Sequence, residues 1–498
     1  MRRGGFARPG GGGFVKKAAV EVRAGGVDER LHVAPTVFFA DVVERAGEAV
    51  VSVFLRVRRR SGKGERPGEE QGECERAEGR SRGTHGQGGS TVSEKSLSPR
   101  CYGEFAREKA DDAEGGVLAN RNVQIVLLTT LASVVAVSGV TPAFPRIVRA
   151  LGISQQQVGL LVTTFTVPGV VLTPVFGALA DRIGRKAVLV PSLFLFAGAG
   201  TACAFVREPF EVLLALRAVQ GVGGAPIVAL CVTILSDLFE AGPRRTAAIG
   251  YNSAALNLGT AAYPSVGGVL AAVAWYWPFA LAAAAVPAGL LVLFALKNPE
   301  PSNEDTESDR TLRSVLLGDR EVAGLLLADA LLFVLLFGSY LTYLPELLKE
   351  TFQARSSVIG LLVSCSSAST ALCATQVERL ARYVPKERLV AAAFFISAGA
   401  LAAMPHLPRL WMVPAAAVVF GAGPGIAITA VIALLTERVP VAFRATILAA
   451  NSTAIRAGQT AGPLLMGVVI AAAGTAAVFY AGAAVGVLAG LAAWAGLE

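Results

Sequence analysis

From Val123 onward the chain is a succession of apolar runs, each near the ~20 residues that carry a helix across a bilayer. The pattern places six of them at about 123–143, 156–180, 187–206, 212–236, 246–274 and 275–296. Six more follow at about 322–345, 356–378, 389–406, 410–436, 445–473 and 475–496. Strands are not expected, because an open sheet leaves its backbone groups unsatisfied in lipid. The predicted fold class is an all-α membrane protein of 12 transmembrane helices in two six-helix bundles, residues 117–296 and 321–498. The connector 297–320 is polar, with Pro299, Glu300, Pro301, Asn303, Glu304, Asp305, Glu307 and Asp309.

Residues 1–116 read differently. They hold a glycine run at Gly10 to Gly13 and a polar, mixed-charge stretch from Arg56 to Gly103, the composition of a disordered or low-complexity extension. Val33 to Val57 is apolar enough for an amphipathic helix, but Asp41, Glu44, Arg45 and Glu48 keep it from spanning. A regulatory tail and a non-functional extension both stay open. The opening Met1, Arg2 and Arg3 run into glycines rather than an apolar core, so no signal peptide is expected.

The two sets of six spans are copies. Arg245, Asn252, Gly259, Pro264 and Gly268 recur 199 residues later as Arg444, Asn451, Gly458, Pro463 and Gly467. Val158 to Val162 recurs as Ile359 to Val363, Gly221 and Gly223 as Gly421 and Gly423, and Pro145 as Pro345. An offset this constant over separate helices marks an internal duplication.

Composition agrees with a membrane chain: 53% of the 498 residues are hydrophobic and only 16% are charged. The formal charge of +8 sits in the extension and in short loops, so it speaks for a bilayer partner and against nucleic acid. One set of alternate loops carries Arg182, Arg185, Lys186, Arg244, Arg245, Lys297, Arg310, Arg313, Arg320, Arg379, Arg382, Lys386, Arg388, Arg438 and Arg444; the other carries Arg146, Arg149, Arg207, Lys349, Arg355 and Arg409. The richer set is expected on the cytoplasmic side, with both termini. Trp275, Tyr276 and Trp277 then fall at the outer interface. None of the six cysteines forms a metal-type pair, and the three histidines, His32, His85 and His406, offer little to metal or acid–base catalysis. No enzyme activity, metal or cofactor is expected, and no phosphate-binding G-x-x-x-x-G-K-[ST] is present to drive a pump with ATP.

Three motifs carry a resemblance. The loop after the second span holds Gly177, Leu179, Ala180, Asp181, Arg182, Gly184, Arg185, Lys186 and Leu189. It resembles the signature between helices 2 and 3 of the major facilitator superfamily. The resemblance implies a conformational latch, with Asp181 facing the start of helix 11 near Arg444; a carboxylate is favoured at a helix N-terminus. The counterpart from Gln376 to Leu389 keeps basic residues but loses the Gly and Asp positions. Leu214, Arg217, Gln220, Gly221 and Gly223 resemble the family's helix 4 pattern, which implies proton coupling. Arg217 is expected either to face the central cavity or to snorkel to the outer surface. Gly250, Gly259, Pro264, Gly267 and Gly268 resemble the helix 5 signature of proton-coupled drug exporters, with Tyr263 departing from the Gly expected before Pro264. Gly458, Gly462 and Pro463 keep the pattern in helix 11 as a packing motif.

Three charges lie well inside the spans: Arg217, Asp329 and Arg456. Each is a candidate for proton coupling. Asp329 is either the proton site or part of a structural ion pair, and Arg456 can pair with it or hold an anionic substrate. Gln220, Tyr340, Tyr343, Asn451 and Gln459 are cavity candidates, with simple helix packing as the competing reading. The expected function is a secondary transporter working by alternating access. Its leading form is a functional monomer in a prokaryotic cell membrane that exports small amphipathic compounds on the proton gradient. Export of one metabolite such as a siderophore or sugar, proton symport, and a non-transporting receptor are the alternatives.

Overall fold

A computed structural model describes residues 116–240, 242–296, 320–439 and 444–496, the side chains of 445 and 446 excepted. The extension, its Val33 to Val57 stretch and the connector lie outside the described residues, apart from Gly116 and Arg320.

Ten described segments are long and apolar enough to cross a membrane. They give α1 (Arg121–Leu151), α2 (Gln155–Ile183), α4 (Phe210–Leu238), α5 (Pro243–Val273), α6 (Trp277–Ala295), α7 (Arg320–Phe352), α8 (Ser356–Ala374), α9 (Lys386–His406) and α10 (Leu410–Arg438), with the last running to Gly496. That last stretch begins at Arg444 and bends at Gly474, whose φ of 83° falls where only glycine is unstrained, so it divides into α11 (444–473) and α12 (475–496). Helix α3 (Arg185–Ala202) completes the twelve.

Short joints fix neighbouring helices. Gly184, at φ 97°, is the whole connection between α2 and α3. Ser154 opens α2 with a capping box: its hydroxyl accepts from the Gln157 amide, and Gln157 Oε1 accepts from the Ser154 amide. Helices α1 and α7 outrun their apolar patterns. Their last turns, Phe144–Leu151 and Tyr343–Phe352, are amphipathic, so the helix continues after hydropathy has dropped.

The duplication extends to irregularities. Helix α1 loses regular geometry between Val134 and the 3-10 turn Thr141–Ala143, and α7 is π-helical over Val334–Thr342, at the same place in the repeat. Backbones also touch where glycines repeat: a methyl added to Gly267 would strike the Gly139 carbonyl, and one added to Gly462 would lie 2.8 Å from the Gly338 nitrogen.

Each half has its own core. That of α7–α12 is continuous and includes Leu335, Phe394, Phe420, Leu435 and Phe479. The first half has one cluster around Leu189, Leu193, Phe196 and Ile234 and another around Phe144, Ile147, Leu161 and Phe279.

The halves meet through α2 on α11 and α5 on α8, towards the end that holds Gln155 and Ser356. Gln155 donates to the carboxylates of Glu346 (3.2 Å) and Glu350 (2.6 Å) and accepts from Thr475. Thr460 Oγ1 donates to Thr166 Oγ1, and Ser265 and Ser364 share a 2.7 Å hydrogen bond. Gly360 sits against the Pro264 carbonyl. Towards the basic end the contacts stop: a methyl at Gly177 or Gly250 would meet nothing within 4 Å, and Leu258, on the same side of α5 as Ser265, is exposed. The two bundles therefore close at one end and part at the basic one.

Candidate functional site

Asp329 lies in α7, about 13 Å from the helix start at 1.5 Å per residue. It is fully buried and faces α11, where Asn451 Nδ2 donates to its Oδ2 at 2.8 Å. The other carboxylate oxygen, Oδ1, has no hydrogen-bond partner, and neither has Asn451 Oδ1. Each is a buried acceptor left without a donor, an arrangement that costs free energy in a low-dielectric interior. Protonating the carboxyl would turn one of its oxygens into a donor.

Sequence reasoning overlooked the counterpart of this pair. Thr130 lies 199 residues before Asp329, and its hydroxyl donates to Asn252 Oδ1 at 2.6 Å, both groups buried. The constant repeat offset was the signal that pointed to it. The first half therefore makes with a neutral hydroxyl the contact that the second half makes with an acid.

Arg217 does not snorkel. It is fully buried within the first half, donating to the carbonyls of Leu161 (3.0 Å) and Ala136 (2.9 Å) and to Gln220 Oε1 (2.8 Å). Its guanidinium also lies 4.9 Å from the Phe165 ring centre, and Nη2 keeps no partner beside a small pocket lined by Val140, Pro278 and Phe279. Gln220 is buried here as its partner.

Arg456 does not pair with Asp329. It reaches from α11 across to the first half, where Nη2 donates to the Ala225 carbonyl at 3.0 Å. Ala225 stands at the break in α4, between Gly224 and Ile227, and its oxygen also accepts from Thr173 Oγ1. Gln459, three residues on, is half-buried. Tyr340 is packed inside the second half, stacked on Phe420 with ring centres 4.1 Å apart. Tyr343 is buried too, its hydroxyl donating to the Pro463 carbonyl at 3.4 Å.

At the basic end Asp181 pairs with Arg185 (3.2 Å), and Arg185 reaches the buried Asp237 of α4 (3.1 Å). That second contact is an ion pair without hydrogen-bond alignment. Lys386 and Glu437 pair at the matching place in the second half, so the charge contact outlasts the eroded loop motif. Lys186 donates to the Leu296 carbonyl at the end of α6, where a cation suits the helix dipole. Arg182 and Arg444 are exposed, and Asp181 and Arg444 make no ion pair with each other among the described residues, because the halves are parted here.

Of the packing glycines, Gly268 meets the backbone of Ser356 and Gly360 across the two halves, and Gly458 meets the Ala330 carbonyl. Gly259 touches only the side chains of Leu131 and Tyr263, and Gly250 touches none.

Two helical bundles of duplicated topology, with charged groups held between and within them, define a class of membrane proteins built from paired six-helix bundles. Residues 126–347 and 330–498 match the model of the Major Facilitator Superfamily, and the chain belongs to that family. It is 33% identical over 144 residues to the bacillibactin exporter of Bacillus subtilis (strain 168), covering 28% of this chain and 36% of that protein. It is 30% identical over 199 residues to Multidrug resistance protein 1 of the same organism, covering 39% of this chain and 51% of that one. These alignments span between a third and about half of the relatives' own length. The nucleoside transporter NupG shares the fold, with a TM-score of 0.63 at 17% identity over 76% of this chain and 98% of that structure.

Proposed function

We propose that this chain is a secondary active transporter that exports small amphipathic compounds against an inward flow of protons. The observation that carries the reading is Asp329: a buried mid-membrane carboxylate whose hydrogen-bond partner is a neutral amide, with one oxygen left over. A group in that setting gains a donor on taking up a proton and loses it on release. Resemblance to a multidrug resistance protein supports export of lipophilic cargo.

The excess of arginine and lysine in the loops around Asp181 supports a cytoplasmic basic end. On that orientation the described state is open to the cytoplasm and closed outside by Gln155, Glu346 and Ser265. Both termini are cytoplasmic, the host membrane is a prokaryotic cell membrane, and one chain suffices, since each chain has both halves. Alternating access follows by rocking the halves about the α2–α11 and α5–α8 contacts. Asp181 acts as a latch on the opposite state, in which the start of α11 closes onto it.

The test is transport of a panel of fluorescent lipophilic compounds in proteoliposomes with an imposed pH gradient. Wild-type protein is expected to accumulate a substrate against its gradient; Asp329→Asn is expected to equilibrate it only. Unchanged accumulation by the variant refutes the assignment. A second reading, export of a single siderophore-like metabolite, is favoured by the similarity to the bacillibactin exporter. It predicts one strong substrate in the panel rather than many weak ones.

A further inference from the structure

We propose that Arg456 is the receptor for an anionic group of the substrate, so that the cargo is an amphipathic organic anion such as an aryl carboxylate. The inference rests on the transporter reading and deepens it.

Arg456 stands about 18 Å along α11 from Arg444, near the middle of the membrane and where the halves begin to part. Among the described residues no carboxylate pairs with it, and Asp329 is engaged by Asn451. A cation at this depth is costly without compensation. What it has is one carbonyl, that of Ala225, through Nη2. Its Nε and Nη1 bond to nothing among the described residues, yet they are not among the sealed polar atoms. The residue is half-buried; Nη1 lies against Gly169 of α2, which leaves Nε as the donor turned away from that contact.

The parallel N–H groups that match a carboxylate side-on are those of Nε and Nη2, so Nε is free to receive an anion and the second contact is completed when Nη2 leaves Ala225; the attraction strengthens away from bulk water. Gln459 adds an amide one turn further along α11. Around them the surface turns apolar: α2 meets Arg456 at Gly169, and Leu172 and Phe176, partly exposed, share that face of the helix. An anionic head with an apolar body fits both parts. Because Nη2 also ties α11 to α4, an anion that draws the guanidinium away loosens a contact between the halves. Binding and rearrangement are then linked through one side chain.

The experiment compares three probes that share a ring system: naphthalene-2-carboxylate, its uncharged amide and naphthalen-2-ylmethylamine. Binding is read as the shift in thermal unfolding of the purified full chain, and transport as counterflow in phosphatidylcholine vesicles, which hold no net anionic headgroup to compete. Wild-type protein is expected to bind the carboxylate at least 10-fold more tightly than the amide and to ignore the amine. Arg456→Gln should abolish the preference and Arg456→Lys should keep part of it. Gly169→Ala is a second probe, because its methyl would strike the Arg456 guanidinium and push it off Ala225 while leaving the charge. It should retain the preference for the carboxylate. Equal binding of carboxylate and amide, tighter binding of the amine, a preference that survives Arg456→Gln, or no binding of any probe overturns the assignment. If Arg456→Gln does not fold, the three-way comparison on wild type and Gly169→Ala decides. Transport of the amide or amine under a pH gradient would keep proton-coupled export and refute this inference. Carboxylate counterflow indifferent to pH would do the reverse.

Discussion

Asp329 and Thr130 occupy the same position in the two halves, each bonded to an asparagine 122 residues further on. The first half closes the contact with a hydroxyl proton that never leaves. The second closes it the other way round, the Asn451 amide donating to a carboxyl group that can take up and release a proton. Asp329→Thr should therefore rebuild the first-half pair in the second. The variant is expected to fold, to unfold within a few degrees of wild type, and to transport without response to pH. A melting curve and a pH-gradient assay check the two parts separately.

Removing the other partner is predicted to be worse. Asn451→Ala leaves the buried carboxylate without its donor, which costs about 1–3 kcal/mol. In the Asp329→Asn background the same change should cost less, because the charge is gone. Denaturant unfolding in mixed micelles of the two single variants and the double variant gives the coupling directly.

Gly267→Ala should destabilise the first half by about 1–3 kcal/mol, since the added methyl meets the Gly139 backbone, which cannot turn aside. Gly177→Ala should cost nothing measurable in this state, because its methyl points into open space. Equal changes in unfolding experiments would show that the approach of Gly267 to the Gly139 backbone does not set the cost, because the chain-entropy effect of Gly→Ala favours the fold at both positions.

Arg185→Ala and Asp181→Asn separate structure from switching. Arg185 and Asp237 are both buried, so losing the guanidinium should lower stability by about 3 kcal/mol. Asp181 is largely exposed, and its pair with Arg185 contributes under about 1 kcal/mol. Asp181→Asn should leave the melting temperature unchanged and slow turnover with substrate preference intact. A changed preference at an unchanged rate would remove the latch role.

If the cargo is an anion and the counter-ion a proton, each cycle moves positive charge inward twice over. An inside-negative potential of 100 mV then contributes about 2.3 kcal/mol for each charge. A potassium-diffusion potential imposed on proteoliposomes should accelerate export even at equal pH on both sides. Indifference to voltage would require an uncharged cargo or a compensating ion.

The spans, the duplication and the basic loops were legible in the residues because bilayer thickness and loop charge act on sequence locally. The site was legible only as a set of residues. Asp329, Asn451, Arg217 and Arg456 stand out as polar groups in apolar helices, but their pairing does not. A helix that is apolar on every side carries no periodicity to show which face is inward. Tyr340 therefore read equally as a cavity group or as helix packing, and it stacks on Phe420 inside the second half. The reach of Arg456 to Ala225 depends on how two separately folded halves are tilted, and that relation is not written in either stretch alone. The Thr130–Asn252 pair is a different case, since the 199-residue offset already named both members.

Gly474 gives the second half a tighter joint than the first has. Helix α11 passes into α12 through that single residue, whereas α5 reaches α6 through Ala274, Trp275 and Tyr276, with Arg207 set over the Tyr276 ring. A one-residue glycine joint lets the angle between two helices change but not their ends separate. When α11 moves, the adjoining end of α12 must travel with it, and the lipid there must give way. Thicker or stiffer bilayers should then slow the cycle through the second half.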